Sequence, residues 1–155
     1  MMDTNGLRWQ TLKFQDLDTP LMYSILKLRQ EIFVVEQNCV YQDLDGHDEA
    51  ASHTLCIYRD EIIAYARAIA PSCKYPFCTL GRILVPTVRR GIGLGRELVR
   101  RSIESSSLAW PNIEIRLSAQ SHLVGFYRGF GFKETGPEYL EDGIPHIQML
   151  LKKTS

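Results

Sequence analysis

Three glycines at alternate positions, Gly91, Gly93 and Gly95, follow the arginine pair Arg89 and Arg90 and separate the apolar run of residues 80–85 from an amphipathic run beginning at Leu94. That order reads as strand, glycine-rich turn, helix. Glycines let the main chain bend tightly and aim several N–H groups at one point, here a helix N-terminus whose dipole favours negative charge. Such a turn is suited to hold phosphate, although a glycine-rich helix start can also serve close packing with no ligand. A nucleoside-triphosphate loop needs Lys and then Ser or Thr after its last glycine, whereas Gly95 is followed by Arg96 and Glu97. A dinucleotide-binding fingerprint needs a third glycine where Arg96 stands. Both tests fail.

What the segment does hold is Arg-x-x-Gly-x-Gly, from Arg90 to Gly95, directly after a strand. Downstream follow Ala119-Gln120, then Gly125-Phe126-Tyr127, then Gly131-Phe132. In this order the two groups resemble the acetyl-coenzyme A pyrophosphate loop and the second coenzyme-binding motif of the GNAT superfamily of N-acetyltransferases. Leu28-Arg29 with Phe33-Val34-Val35-Glu36-Gln37, Tyr41-Gln42-Asp43-Leu44-Asp45-Gly46, and Glu141-Asp142-Gly143-Ile144-Pro145-His146-Ile147 resemble its ElaA-like branch. The resemblance covers residues 7–150. It implies a single domain over residues 1–155, of α/β (α+β) class, with a mixed, mostly antiparallel sheet flanked by about four helices. It also implies acetyl-CoA as cosubstrate, no metal, and a small-molecule primary amine as acceptor, attacked directly in a ternary complex. A homodimer is left open.

By the same resemblance the coenzyme is held by Ile83, Leu84, Val85, Arg90, Gly91, Ile92, Gly93, Leu94, Gly95, Arg96, Gln120 and Tyr127. Gln120 stands where other GNAT sequences place an asparagine. The acceptor pocket takes Arg29, Glu36, Asp142 and His146. Three chemical tasks follow. An aliphatic amine has a pKa near 10, so a base must accept its proton before attack, and Glu36, His146 and His122 are the candidates. Charge developing on the thioester oxygen needs a fixed donor, which in GNAT proteins is a backbone N–H of the strand before the glycine loop, here Ile83-Leu84-Val85. The departing thiolate, of thiol pKa around 8.5, needs a proton donor, and Tyr127 occupies the matching place. Without its motif Tyr127 would read as a core tyrosine. A non-catalytic acetyl-CoA sensor or interaction module, and a phosphopeptide- or nucleotide-binding domain, are the competing classes.

Composition narrows the field. A chain of 155 residues with 45% apolar residues can bury a full core, and 18 basic against 18 acidic residues give no general attraction for nucleic acid or an anionic membrane. No run approaches the roughly 18 apolar residues of a membrane span and no secretory leader is visible, so a cytoplasmic location is expected. Cys39, Cys56, Cys73 and Cys78 have no metal-site spacing; free thiols are expected, with Cys56 in the core and a Cys73–Cys78 disulfide the alternative. Asp43, Asp45, Asp48 and Glu49 fail the calcium-loop spacing, which leaves two compatible readings: a solvated turn, and a lure for a cationic amine.

The elements that must position these groups are legible in outline. A strand is expected over residues 7–14. A helix capped by Asp18-Thr19-Pro20 follows, with Met22, Ile25, Leu26, Arg29, Ile32 and Phe33 on one face, where Arg29 must find a ligand or a carboxylate. Strands over 52–58 and 62–70 flank an Arg59-Asp60-Glu61 hairpin turn, and a further strand covers 79–85. The helix from Leu94 buries Leu94, Leu98 and Ile103 and closes at Ser105-Ser106-Ser107. A strand over 113–118, a short helix over 121–128 stopped by Gly129 and Gly131, and strands over 132–135 and 146–151 complete the sheet. His53 reads as a half-buried, hydrogen-bonded strand residue and His47 as a loop residue.

Overall fold

The computed structural model describes residues 4–152, so the outermost three residues at each end of the expected 1–155 domain lie outside the described residues. In chain order the elements are β1 (Arg8–Lys13), α1 (Thr19–Arg29), β2 (Ala51–Tyr58), β3 (Glu61–Ile69), β4 (Cys78–Leu84), α2 (Leu94–Ala109), β5 (Ile115–Gln120), α3 (Val124–Arg128), β6 (Lys133–Glu134), β7 (Tyr139–Glu141) and β8 (Ile144–Leu151). They form one mixed sheet in the order β1-β2-β3-β4-β5-β8-β6, with β7 also on β8. All neighbours are antiparallel except β4 and β5. The expected fold class is observed.

Alternation along β3 divides the molecule into two layers. Ala64, Ala66 and Ala68 face one side, where Leu94, Leu98 and Val99 of α2 join Leu117 and Met149 in the larger core. Their short side chains let the helix lie close to the sheet. Tyr65 faces the other side and packs with Leu55, Ile57 and Leu84 against Ile25 and Ile32, which the first helical segment supplies. The β2–β3 connection is a two-residue turn, Arg59 and Asp60, both at positive φ (49° and 64°), matching the twist of the hairpin it closes. Glu61 belongs to the strand.

Four expectations are corrected. The first helix does not run regularly through Phe33: after Arg29 it continues as a π-helical turn, Gln30–Glu36, and the buried positions are Ile25, Arg29 and Ile32. Ser105-Ser106-Ser107 does not close α2. The Ser102 and Ser107 hydroxyls donate back to the carbonyls of Leu98 and Ile103, both at 2.8 Å, and the helix ends only before Trp110 and Pro111. Strand β5 is shifted two residues toward the C-terminus, and residues 121–123 form a 3-10 turn ahead of a shorter α3. Strand β7 was not foreseen; its three residues carry too little alternation to signal a strand.

Candidate active site

Strands β4 and β5 run parallel for two residue pairs, Cys78 with Ile115 and Thr79 with Arg116, and their pairing then stops. A cleft of about 1260 Å³ opens there, and every residue from Thr79 to Val85 lines it. One irregularity shapes this wall. Tyr65 pairs with Leu84 but Arg67 pairs with Gly81, so β4 carries one extra residue, and Arg82 takes a positive φ of 50°. The bulge inverts the alternation: Leu80 joins the core under α2, whereas Leu84, also even-numbered, joins the core under α1.

The glycine turn lies at the end of this wall. Gly91 and Gly93 have φ of +87° and +86°, and Gly93 is the N-cap of α2. A Cβ added at either meets nothing within 4 Å, so the positive φ is what demands glycine there. Arg90 donates from Nε to the Val85 carbonyl at 2.8 Å and from Nη2 to Glu36 at 3.2 Å, and the Thr87 hydroxyl donates to the same Glu36 oxygen at 3.2 Å.

Of the residues selected from sequence, Glu36, Ile83, Leu84, Val85, Arg90, Gln120, His122, Tyr127, Asp142 and His146 all line the cleft. Gly91, Ile92, Gly93, Leu94, Gly95 and Arg96 stand beyond its wall, in the turn and first turn of α2. Arg29 does not reach the cleft, and its acceptor-pocket assignment is corrected. It is fully buried, donating to Asp43 at 2.9 Å, to Asp48 at 2.6 Å and to the Asp43 carbonyl at 3.1 Å.

The acidic segment is corrected with it. Asp45 is gripped by both terminal nitrogens of Arg67, at 2.8 and 2.7 Å, and Asp43 by Arg82 at 2.8 Å. Three aspartates and three arginines thus neutralise one another, which leaves the exposed Glu49 as the one carboxylate of the segment outside the cluster. Burial opposes ionisation of Asp45 and Asp48, but the hydrogen bonds and charges of Arg67 and Arg29 outweigh it, and both carboxyls titrate below the usual range. His53 is more buried than expected. Its Nε2 donates to the Asp48 carbonyl at 2.9 Å, so its Nδ1 accepts from the Tyr65 hydroxyl at 2.7 Å. Burial lowers its pKa.

Tyr127 sits between Phe126 and Phe132, edge to face with both, and its hydroxyl has no hydrogen-bond partner among the described residues. Burial pushes its pKa up to about 12, so the hydroxyl is a donor at any physiological pH. The imidazole of His146 has its Nδ1 at 2.7 Å from the Ile144 carbonyl. A carbonyl only accepts, so Nδ1 carries a proton and Nε2, 3.2 Å from Glu141, is the nitrogen that can gain or lose one. The β5–β8 register sets His146 beside Gln120.

Sequence reading missed Arg116, Ser118 and Gln148, which share the cleft face of β5 and β8. A signal existed: polar Arg116, Ser118 and Gln120 alternate with buried Ile115, Leu117 and Ala119, which marks a strand with one wet face in the middle of a sheet. Tyr41, Arg67 and Arg82 had no such signal, because only the loop crossing above the bulge brings them together.

A parallel pair that parts beneath a glycine-started helix, beside a bulged strand, defines a GNAT-type acyltransferase fold. A family model described as Acetyltransferase (GNAT) domain matches residues 26–153. Protein ElaA of Escherichia coli strain K12 is 40% identical over 145 residues, 92% of this chain and 95% of that protein. The crystal structure of Escherichia coli ElaA superposes with a TM-score of 0.89, at 39% identity over 93% of this chain and 98% of that one. An acyl-CoA N-acyltransferase from Pseudomonas aeruginosa superposes with a TM-score of 0.90, at 36% identity over 93% and 98%. The chain belongs to the GNAT acetyltransferase family, in its ElaA-like branch.

Proposed function

We propose that the protein is a single-domain N-acetyltransferase that moves the acetyl group of acetyl-CoA to a primary amine by direct attack in a ternary complex. The observation that carries this reading is the parting of β4 and β5, which puts the bulged main chain, Tyr127 and His146 around one cleft with the glycine turn at its end. The turn fits the donor's pyrophosphate: positive-φ glycines leave the approach open, the first N–H groups of α2 have no intrahelical acceptor, and Arg90 adds a cation. Gln120 faces the pantetheine arm from β5.

In this scheme a backbone N–H of the segment Ile83, Leu84 and Val85 donates to the thioester oxygen as negative charge grows there. His146 accepts the amine proton through Nε2, its ring orientation held by the Ile144 carbonyl. It is better placed for this than Glu36, whose carboxylate is engaged by Arg90 and Thr87, or than His122, which is exposed in the 3-10 turn Ser121–Leu123. Tyr127 donates a hydrogen bond to the departing thiolate. With the tyrosine near 12 and a thiol near 8.5, complete transfer of its proton is uphill by several kcal/mol, so stabilisation by the hydrogen bond is its contribution.

The test is purified protein with acetyl-CoA and a panel of primary amines, following free thiol and acetylated product. Amine-dependent thiol release is expected. Tight coenzyme A binding without release for any amine would instead establish a sensor.

A further inference from the structure

The geometry points to an acceptor that carries a carboxylate well separated from its reacting amine; this deepens the proposed acetyl transfer and rests on it. The end of the cleft remote from the glycine turn, where Thr79 and Arg116 still pair, is lined by an aromatic and cationic wall. Phe77 stacks on Tyr75 with ring centres 5.0 Å apart, the Arg116 guanidinium lies 4.5 Å over Phe77, and the Lys74 ammonium lies 5.5 Å over Tyr75. Arg82 lies 5.4 Å over Tyr41 on the adjoining side.

This wall is rich in unused donors. A guanidinium offers five N–H groups and accepts none. Arg116 spends Nε and Nη2 on one oxygen of Glu114, at 2.8 and 2.7 Å, and Arg82 spends Nε and Nη2 on Asp43 and Asp45. In neither does Nη1 have a partner among the described residues, and Lys74 has no carboxylate within ion-pairing distance among them. Two further polar atoms of cleft-lining residues, Arg67 Nε and Thr79 Oγ1, are buried without partners. The wall's own carboxylate, Asp45, has both oxygens committed to Arg67 and Arg82, and one of them also accepts from the His47 N–H. An incoming group must therefore supply acceptors, and a carboxylate supplies about four lone-pair sites.

The charge balance selects a monoanion. Arg29, Arg67 and Arg82 are matched by Asp43, Asp45 and Asp48, and Arg116 by Glu114, which leaves Lys74 as the surplus cation. A phosphate dianion would be under-neutralised. Glu141 and Asp142 lie by His146 at the opposite wall, where the ammonium form of the acceptor would be received before it loses its proton. A strand rises about 3.3 Å per residue, and the bulged residues after Gly81 advance less than that each, so Thr79 and Ile83 are roughly 11 Å apart along β4. An α-amino acid, whose two charges are adjacent, is too short to use both ends; an ω-amino carboxylate is not.

The experiment compares kcat/KM for three acceptors built on the same alkyl chain in several lengths: the simple amine, the ω-amino carboxylate and the α,ω-diamine. The ω-amino carboxylate is expected to lead by about ten-fold or more, and Arg116→Gln is expected to collapse that lead through KM, with Arg116→Lys restoring part of it. Lys74→Met, at an exposed position, gives the same reading if Arg116→Gln fails to fold. Preference for the diamine, or an equal loss with all three acceptors in both variants, overturns the inference. If no amine is acetylated the acetyl-transfer reading fails instead, and calorimetry of the ω-amino carboxylate against the simple amine decides the carboxylate site: equal affinities overturn it.

Discussion

Arg29 and Asp48 meet at 2.6 Å with the arginine side chain fully buried, joining the end of α1 to a loop nineteen residues further on. Asp48 also accepts from Arg67 at 3.1 Å, and its main-chain carbonyl accepts from His53 at 2.9 Å. One aspartate thus ties α1, β2 and β3 to the loop that roofs the cleft. Removing one partner from such a cluster leaves an uncompensated buried charge, which costs far more than the pair contributes net.

Arg29→Met is therefore expected to lower stability by about 3–5 kcal/mol, read from denaturant unfolding. If Arg29 served the acceptor directly, the variant would keep wild-type stability and change only the acceptor KM, and that outcome would refute the structural assignment.

The same cluster makes acid unfolding stepwise. His53 has a folded pKa below 6.5, so its contribution is present above about pH 6.5 and is lost as pH falls through the lowered value, where protonating Nδ1 breaks the bond from Tyr65. Asp45 and Asp48 have folded pKa values below 3.8; their contribution is present above that and is lost as pH falls further. Melting temperature is expected to decline between pH 7 and 5 and again, more steeply, below about pH 4. In His53→Gln the upper decline should vanish and the lower one remain.

Gly93→Val should weaken coenzyme A binding by about ten-fold or more, because a β-branched residue at φ +86° costs on the order of 1–2 kcal/mol and turns the N–H groups of the loop. Gly95→Ala offers a control for stability. An added Cβ there meets only Val85 Cγ2 at 4.0 Å, and in the first turn of a helix alanine should hold or slightly raise the melting temperature. Calorimetry with coenzyme A and thermal melts of both variants check this; undiminished affinity in folded Gly93→Val sinks the loop assignment.

For Tyr127→Phe, a lost charge-assisted hydrogen bond of about 1.5–3 kcal/mol predicts a fall in kcat of roughly ten- to a hundred-fold with coenzyme affinity little changed. Burst and steady-state kinetics together show whether chemistry limits turnover. Turnover retained within a few-fold under that condition returns Tyr127 to a packing role beside Phe126 and Phe132.

The helices, most strands and the glycine turn were legible from the chain alone, since alternation, capping and positive-φ glycines are local properties written in neighbouring residues. Tyr127, Arg90 and Gln120 could be selected because each sits in a short motif that resembles one of the GNAT coenzyme-binding motifs. Arg29 shows where that stops. Its place on an apolar face demanded a partner, and sequence could not distinguish a ligand from Asp43 and Asp48, because the choice depends on how a loop folds back across the sheet. The neutralisation of Asp43, Asp45 and Asp48, the β4 bulge that sends Leu80 and Leu84 to opposite cores, and the meeting of Arg116 with Phe77 were likewise decided by long-range pairing. Such pairings bring together residues tens of positions apart, and their energies come from burial and charge balance that exist only once the sheet has formed.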